Sequence, residues 1–183
     1  MSVPCIPHAR CLFDELIFSL QSGQIVQLAG PKGAGKTSLL RIIAGFSLPD
    51  EGDILYRNQS IKKYYDEYAR DLLFIGHKTG VNVQLSALEN VAHWLAINGY
   101  VNTPDLYPWL SKLGLVGLED VPVRTLSAGQ QRRVALGRLW LSEAKLWILE
   151  EPFTALDKRG VAFLQQRFTE HTSKGAASLL TTH

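Results

Sequence analysis

The sequence has little cysteine, no long apolar run and almost no excess of charge. Cys5 and Cys11 are the only cysteines among its 183 residues, too few for a disulfide framework or a four-cysteine zinc site, which favours a reducing compartment. No run approaches the roughly 18 to 20 apolar residues that span a bilayer, and the N-terminus has no apolar core of signal-peptide length. The 19 basic and 17 acidic residues give a formal charge of +2, so nucleic acid is not an expected partner. Any role at a membrane would therefore come through a partner.

The apolar pattern predicts an α/β fold in which a parallel sheet is interrupted by a helical insertion. The chain is long enough for one compact domain, and short apolar segments alternate with segments of helical spacing at both of its ends. The predicted strands cover residues 24–29, 53–56, 71–76, 145–149 and 177–182. The predicted helices cover residues 36–44 and 158–171, together with a further one after residue 126. Residues 85–118 predict two helices with no strand between them, and we expect a core of about 12–84 and 136–183 with a helical subdomain of about 85–135.

A glycine-rich loop, GPKGAGKT, joins the first predicted strand to the first predicted helix. It fits the phosphate-loop pattern G-x-x-x-x-G-K-[ST] in the strand–loop–helix context that this pattern requires. Glycines let backbone amides close around phosphate oxygens, and the helix N-terminus adds partial positive charge. The expected nucleotide-binding residues are Gly30, Pro31, Lys32, Gly33, Ala34, Gly35, Lys36, Thr37 and Ser38. Lys36 would reach the β- and γ-phosphates of a nucleoside triphosphate and Thr37 would bind Mg²⁺. The alternative, an incidental lysine in a flexible loop, is disfavoured by the flanking strand and helix.

The segment LWILEEPFTALD places two carboxylates where an apolar strand ends. Glu150 and Glu151 follow the buried-strand pattern of residues 146–149. Two interpretations are open at this point: a solvated strand end, or a metal-binding group and a base at the carboxyl edge of a parallel sheet, where open α/β folds hold ligands.

Taken together, these motifs resemble those of the ATP-binding cassette (ABC) ATPases, a P-loop family with a RecA-like sheet. The segment LSAGQ at residues 126–130 resembles the family's LSGGQ signature with alanine in place of one glycine, and ALD at residues 155–157 resembles its D-loop. The resemblance implies that Glu151 polarises the attacking water and that Glu150 contacts Mg²⁺. It also implies that Asp157 and His183 act at the catalytic site. The signature residues Ser127, Gly129 and Gln130 would contact ATP bound by a second copy, in an ATP-dependent head-to-tail homodimer.

Two residues differ from the usual pattern of this family. Glu150 stands where aspartate is usual, and its additional methylene predicts either an adjusted site or slow hydrolysis, because about 1 Å of misplacement costs about 100-fold in rate. His77 stands where a glutamine usually links Mg²⁺ to the membrane subunit, and its imidazole would serve as a metal contact.

The strings GHKTG and LSAGQQRRVALGRLWL resemble more narrowly the ATP-binding subunits of cytochrome c biogenesis (haem exporter) systems. That resemblance implies a peripheral subunit on the cytoplasmic face of a bacterial inner membrane, bound to integral membrane subunits and without a haem site of its own. The chain stops at the family's switch histidine and begins late in its pattern, so a truncated form is expected. Two alternatives remain: an ATP-dependent clamp with weak hydrolysis, and a transporter ATPase for another cargo.

Overall fold

The computed structural model describes residues 12–13, 16–78, 80–100 and 105–182. Within these residues there are six strands: β1 (Ile25–Leu28), β2 (Leu55–Tyr56), β3 (Gln59–Ser60), β4 (Leu72–Ile75), β5 (Leu146–Glu150) and β6 (Ala177–Thr181). The helices are α1 (Lys36–Ile43), α2 (Tyr65–Arg70), α3 (Ala87–Ile97), α4 (Tyr107–Lys112), α5 (Ala128–Leu136), α6 (Arg138–Leu141) and α7 (Lys158–Ser173). Four strands form a parallel sheet in the order β1–β6–β5–β4, and β2 and β3 form an antiparallel pair. The predicted parallel α/β core is confirmed.

Strand β5 lies inside the sheet and is covered on both faces. All five of its residues are buried. Trp147 and Leu149 pack into one hydrophobic cluster with Leu164 and Phe168 of α7, whereas Ile148 packs on the opposite face in a cluster that contains residues of α1 and β6. A strand that is buried on both faces needs apolar residues in succession, which explains why this segment shows no polar alternation.

Between β4 and β5 the described residues form helices joined by loops and contain no strand, as the sequence predicts. A third hydrophobic cluster joins them, with contributions from Val91, Leu110 and Val134 of three different helices. Helix α3 begins at Ser86, whose side chain and that of Glu89 form a reciprocal capping box. The boundaries at 85 and 135 themselves stay a prediction. Within the described ranges, no helix is long and apolar enough to cross a membrane.

The segment between α1 and β4 is more regular than the sequence predicts. The single expected strand is a hairpin whose turn residues, Arg57 and Asn58, have φ values of 51° and 61°. The following tyrosine-rich segment forms α2, because Tyr68 is 2% exposed and its hydroxyl donates a 2.7 Å hydrogen bond to the Ile43 carbonyl. Tertiary burial of one aromatic residue thus organises a segment that carries no clear local pattern.

His171, near the end of α7, makes the stability of this fold depend on pH. Its ring stacks on Trp147 with centroids 3.5 Å apart, and burial, supported by the positive charge of Arg167, lowers its pKa from 6.5 to about 4. The unfolded chain therefore binds a proton at a higher pH than the folded chain does. Stability is expected to fall as the pH drops from about 6.5 towards 4, and to be independent of His171 above that range.

The variant His171→Phe keeps a flat ring on Trp147 but cannot be protonated. Between pH 7 and pH 4.5, we expect the melting temperature of the wild type to fall by at least about 3 °C more than that of this variant. The control His93→Gln changes an exposed histidine and should retain the wild-type pH dependence. Parallel curves for wild type and His171→Phe would contradict the assignment.

Candidate active site

The phosphate loop and the carboxylates after β5 lie together at the carboxyl edge of the parallel sheet. The loop follows β1 and the carboxylates end β5, with β6 between these two strands. Although Thr37 and Glu150 are separated by 113 residues, the Thr37 hydroxyl donates a hydrogen bond to Oε1 of Glu150. The fold therefore brings together two of the three groups that the sequence predicts for Mg²⁺.

The loop has the backbone geometry of an anion cradle. Gly33 and Gly35 adopt φ values of 84° and 85°, a conformation that favours glycine. A Cβ at Gly35 would lie 2.8 Å from the Phe13 ring, whereas a Cβ at Gly33 would meet no atom within 4 Å. The ammonium of Lys36 donates hydrogen bonds to the carbonyls of Gly30 and Pro31. Both carbonyls are neutral acceptors. Negatively charged phosphate oxygens can replace them, because they attract the ammonium more strongly.

Glu150 is held on both of its carboxylate oxygens. It is 7% exposed; Oε1 accepts from Thr37 and Oε2 accepts a 2.9 Å hydrogen bond from the backbone amide of His77. His77 itself is an exposed residue, so its contact with Glu150 is made by its backbone. A metal role for its ring stays a prediction.

Thr37 and Glu150 supply the oxygen ligands that Mg²⁺ prefers. Within the described part of the chain, no group of three or more His, Cys, Asp or Glu residues is arranged to hold a metal. A protein hydroxyl and one carboxylate fit a Mg²⁺ that takes its other ligands from water and substrate phosphates. The donor set therefore fits nucleotide-bound Mg²⁺.

Glu151 occupies a strained turn directly after β5. Its φ is 48°, in the left-handed region that non-glycine residues seldom adopt. The turn is fixed from β6, because the Glu151 amide donates to the carbonyl of Thr181 at 3.2 Å and to its hydroxyl at 3.1 Å. Such strain is typical of functional positions.

The signature and D-loop residues form a second group within the same chain. Ser127 caps α5 in a reciprocal box with Gln130, and a Cβ at Gly129 would lie only 2.5 Å from the Ala155 carbonyl oxygen. This close approach explains why glycine is needed at 129. Arg133 forms a 2.8 Å ion pair with Asp157.

Asp157 also caps α7 by accepting from the Gly160 amide at 2.8 Å. That hydrogen bond, together with Arg133, lowers the pKa of Asp157. The D-loop carboxylate is therefore charged and fixed in position at neutral pH. His183, the predicted phosphate sensor, lies outside the described residues.

Arg132 is a buried residue of this site that the sequence analysis does not identify. It is 7% exposed, and its guanidinium donates to the carbonyls of Gly76 (3.1 Å), Glu150 (2.6 Å) and Glu151 (3.2 Å). Burial lowers its pKa, and the charges of the two glutamates oppose this effect. The helical spacing could have indicated that Arg132 is buried, because it shares a helix face with the apolar residues Ala135 and Leu136.

Comparison with known proteins identifies the family to which this geometry belongs. A family model described as ABC transporter matches residues 13–154. The chain belongs to the ABC transporter family. It is an ABC-type ATPase, and the predicted resemblance to the ABC ATPases is confirmed.

Curated relatives of this ABC ATPase carry the name "Cytochrome c biogenesis ATP-binding export protein CcmA". One from Aliivibrio fischeri is 51% identical over 182 residues, which cover 100% of this chain and 89% of the relative. Another from Vibrio cholerae is 49% identical over 183 residues, covering 100% and 88%. A third, from Idiomarina loihiensis, is 52% identical over 178 residues, covering 97% and 81%. The narrower resemblance to the ATP-binding subunits of cytochrome c biogenesis systems is confirmed.

Solved ABC cassettes share the fold of this ABC ATPase. A dimeric ATP-binding cassette in a post-hydrolysis state, bound to ADP and Pi, superposes with a TM-score of 0.83 at 22% identity, covering 100% of this chain and 84% of that one. An ATP-binding subunit of an ABC transporter gives a TM-score of 0.81 at 24% identity, covering 96% and 75%.

Proposed function

We propose that this chain is the ATP-hydrolysing subunit of an ABC-type membrane complex for cytochrome c biogenesis, in which ATP turnover drives haem export or the release of haem from a periplasmic chaperone. The observation that carries the proposal is the 49–52% identity, over at least 97% of the chain, to relatives named for that process. The site geometry is compatible with it, since a phosphate loop and two carboxylates meet at one sheet edge.

Each residue of the site has its own role in ATP hydrolysis. Lys36 leaves its loop carbonyls to neutralise the β- and γ-phosphates, and the loop amides orient the triphosphate. Thr37 and Glu150 would hold Mg²⁺, which when bound supplies further neutralisation of phosphate charge. Glu151 orients and polarises the attacking water, with its backbone fixed by Thr181. His183 would sense the γ-phosphate.

A complete site requires a second copy of the chain. The signature residues Ser127, Gly129 and Gln130 are distant in sequence from the phosphate loop. They lie at the beginning of α5, where backbone amides favour binding of an anion. In the proposed head-to-tail homodimer they contact ATP held by the partner, and Asp157 couples the two sites. Integral membrane subunits of the complex would hold this dimer at the cytoplasmic face of the bacterial inner membrane.

A second candidate is an ATP-dependent clamp that hydrolyses weakly. The feature that favours it is Glu150, which stands where aspartate is usual in this family and carries one additional methylene. Wild-type Mg-ATP turnover separates the candidates: a wild type without turnover that gains activity in Glu150→Asp would indicate a clamp.

The biological proposal is tested by deletion of the gene in its own bacterium. We expect covalently bound haem in c-type cytochromes to fall by at least about tenfold, because ATP turnover would drive the export step directly, while b-type cytochromes stay unchanged. The full-length wild-type gene should restore c-type cytochromes and Lys36→Ala should not. Normal c-type cytochromes in the deletion strain would indicate a transporter ATPase for another cargo.

A further inference from the structure

We propose that Arg132 is a positioning residue for ATP hydrolysis, which links the signature helix α5 to the backbone that carries the catalytic carboxylates. The inference rests on the proposed roles of Glu150 and Glu151. It goes beyond them because it assigns a function to a residue outside the phosphate loop, the metal site and the signature contacts.

The three carbonyls that Arg132 contacts all belong to the active-site backbone. Gly76 precedes His77, whose amide donates to the Glu150 carboxylate, while Glu150 and Glu151 are the proposed metal and water residues. One guanidinium thus fixes the ends of two neighbouring parallel strands, β4 and β5. Because its planar donors are rigidly spaced, it sets the positions of these carbonyls relative to one another.

Burial makes this linkage stiff. Arg132 is 7% exposed, and a charge in such a place requires hydrogen-bond partners, which the three carbonyls provide. The carboxylate of Glu150 also lies close to the Gly76 backbone, since a Cβ at Gly76 would lie 3.6 Å from its Oε2. A displacement of Arg132 would therefore move the Glu150 carboxylate and the Glu151 turn together.

Helix α5 connects the signature to Arg132. The helix begins at its cap Ser127 in the signature, and Arg132 lies five residues further along the same short helix. A rigid element transmits displacement from one end to the other. Contact of the signature with a partner's ATP would therefore reach the carboxylates of this chain through Arg132, so that the two half-sites become competent together.

A matched control exists in α7. The guanidinium of Arg167 is also largely buried, with 11% of its side chain exposed, and it donates to a backbone carbonyl, that of Leu139, at 3.0 and 2.9 Å. Leu139 lies in α6, away from the phosphate loop and the carboxylates in sequence. Arg167 also lies over the Trp147 ring of β5, 5.1 Å from its centroid, but its carbonyl partner Leu139 lies outside the carboxyl ends of β4 and β5. Arg167→Gln therefore removes a buried guanidinium–carbonyl interaction and leaves the contacts at those strand ends in place.

The test compares the intact wild-type chain with Arg132→Gln, Arg132→Lys and Arg167→Gln. We expect Arg132→Gln to lower kcat for Mg-ATP by about 30- to 100-fold with KM changed less than about threefold, because misplacement of about 1 Å has this effect on rate. Arg132→Lys should recover part of the loss and remain about 5- to 20-fold below wild type, since an ammonium lacks the planar donors. Amide exchange in residues 75–78 and 149–151, at the strand ends that Arg132 contacts, should accelerate in both. Arg167→Gln should lower the melting temperature but leave kcat and this exchange within about twofold.

Each result decides the inference. It is overturned if Arg132→Gln keeps turnover within threefold of wild type, or if kcat falls equally in Arg167→Gln. If Arg132→Gln does not fold, Arg132→Lys decides, and turnover within twofold of wild type overturns the inference. A wild type without Mg-ATP turnover would instead contradict the proposed function, and amide exchange would still report whether Arg132 holds the two strand ends.

Discussion

Replacement of Glu151 by glutamine is expected to lower Mg-ATP turnover by about 100- to 10,000-fold, the range of general-base catalysis, while ATP binding is retained. Glutamine has nearly the same shape, and the turn is fixed through the backbone by Thr181, so the main change is loss of the carboxylate charge that polarises water. Turnover is measured by phosphate release and binding by equilibrium titration with Mg-ATP.

The same variant should accumulate an ATP-bound dimer, seen as a doubled mass by light scattering at high protein and Mg-ATP concentrations. Glu143→Gln is the matched control, because Glu143 is an exposed carboxylate just before the opposite end of β5. Its turnover should equal that of the wild type. Undiminished turnover in Glu151→Gln would exclude Glu151 as the water-polarising group, and a monomer under all conditions would contradict the head-to-tail dimer.

The second large effect is expected from Lys36→Ala, which should abolish measurable hydrolysis and weaken ATP binding by at least about 100-fold. Lys36 is the cationic side chain whose ammonium lies on the loop carbonyls of Gly30 and Pro31, within the cradle formed by the loop. Alanine leaves the developing phosphate charge without its closest compensating cation. Nucleotide affinity is measured by isothermal titration and turnover by phosphate release.

Lys174→Ala is the control for Lys36→Ala. It removes one positive charge from an exposed position after α7, so it tests whether net charge alone weakens nucleotide binding. We expect wild-type affinity in this variant. Wild-type affinity in Lys36→Ala as well would contradict the assignment of the phosphate loop.

The sequence alone predicts the features of this protein that depend on residues close together in the chain. The phosphate loop needs glycines at positive φ between a strand and a helix, and these requirements appear within eight consecutive residues. The continuous apolar run of β5 predicts a buried strand. The glutamates that follow it leave a solvated strand end and a ligand site both open, and the family resemblance favours the site. A helix after residue 126 is likewise predicted, and the capping box that begins it spans only four residues, from Ser127 to Gln130.

Only the tertiary structure decides the contacts between segments that are distant in the chain. The hydrogen bond from Thr37 to Glu150 depends on the strand order β1–β6–β5, which no local pattern encodes. Helix α2 forms around the buried Tyr68 because tertiary packing outweighs weak local propensity. Arg132 is similar: sequence places an arginine on an apolar helix face, but which three carbonyls satisfy its buried charge is determined by how α5 packs across the ends of β4 and β5.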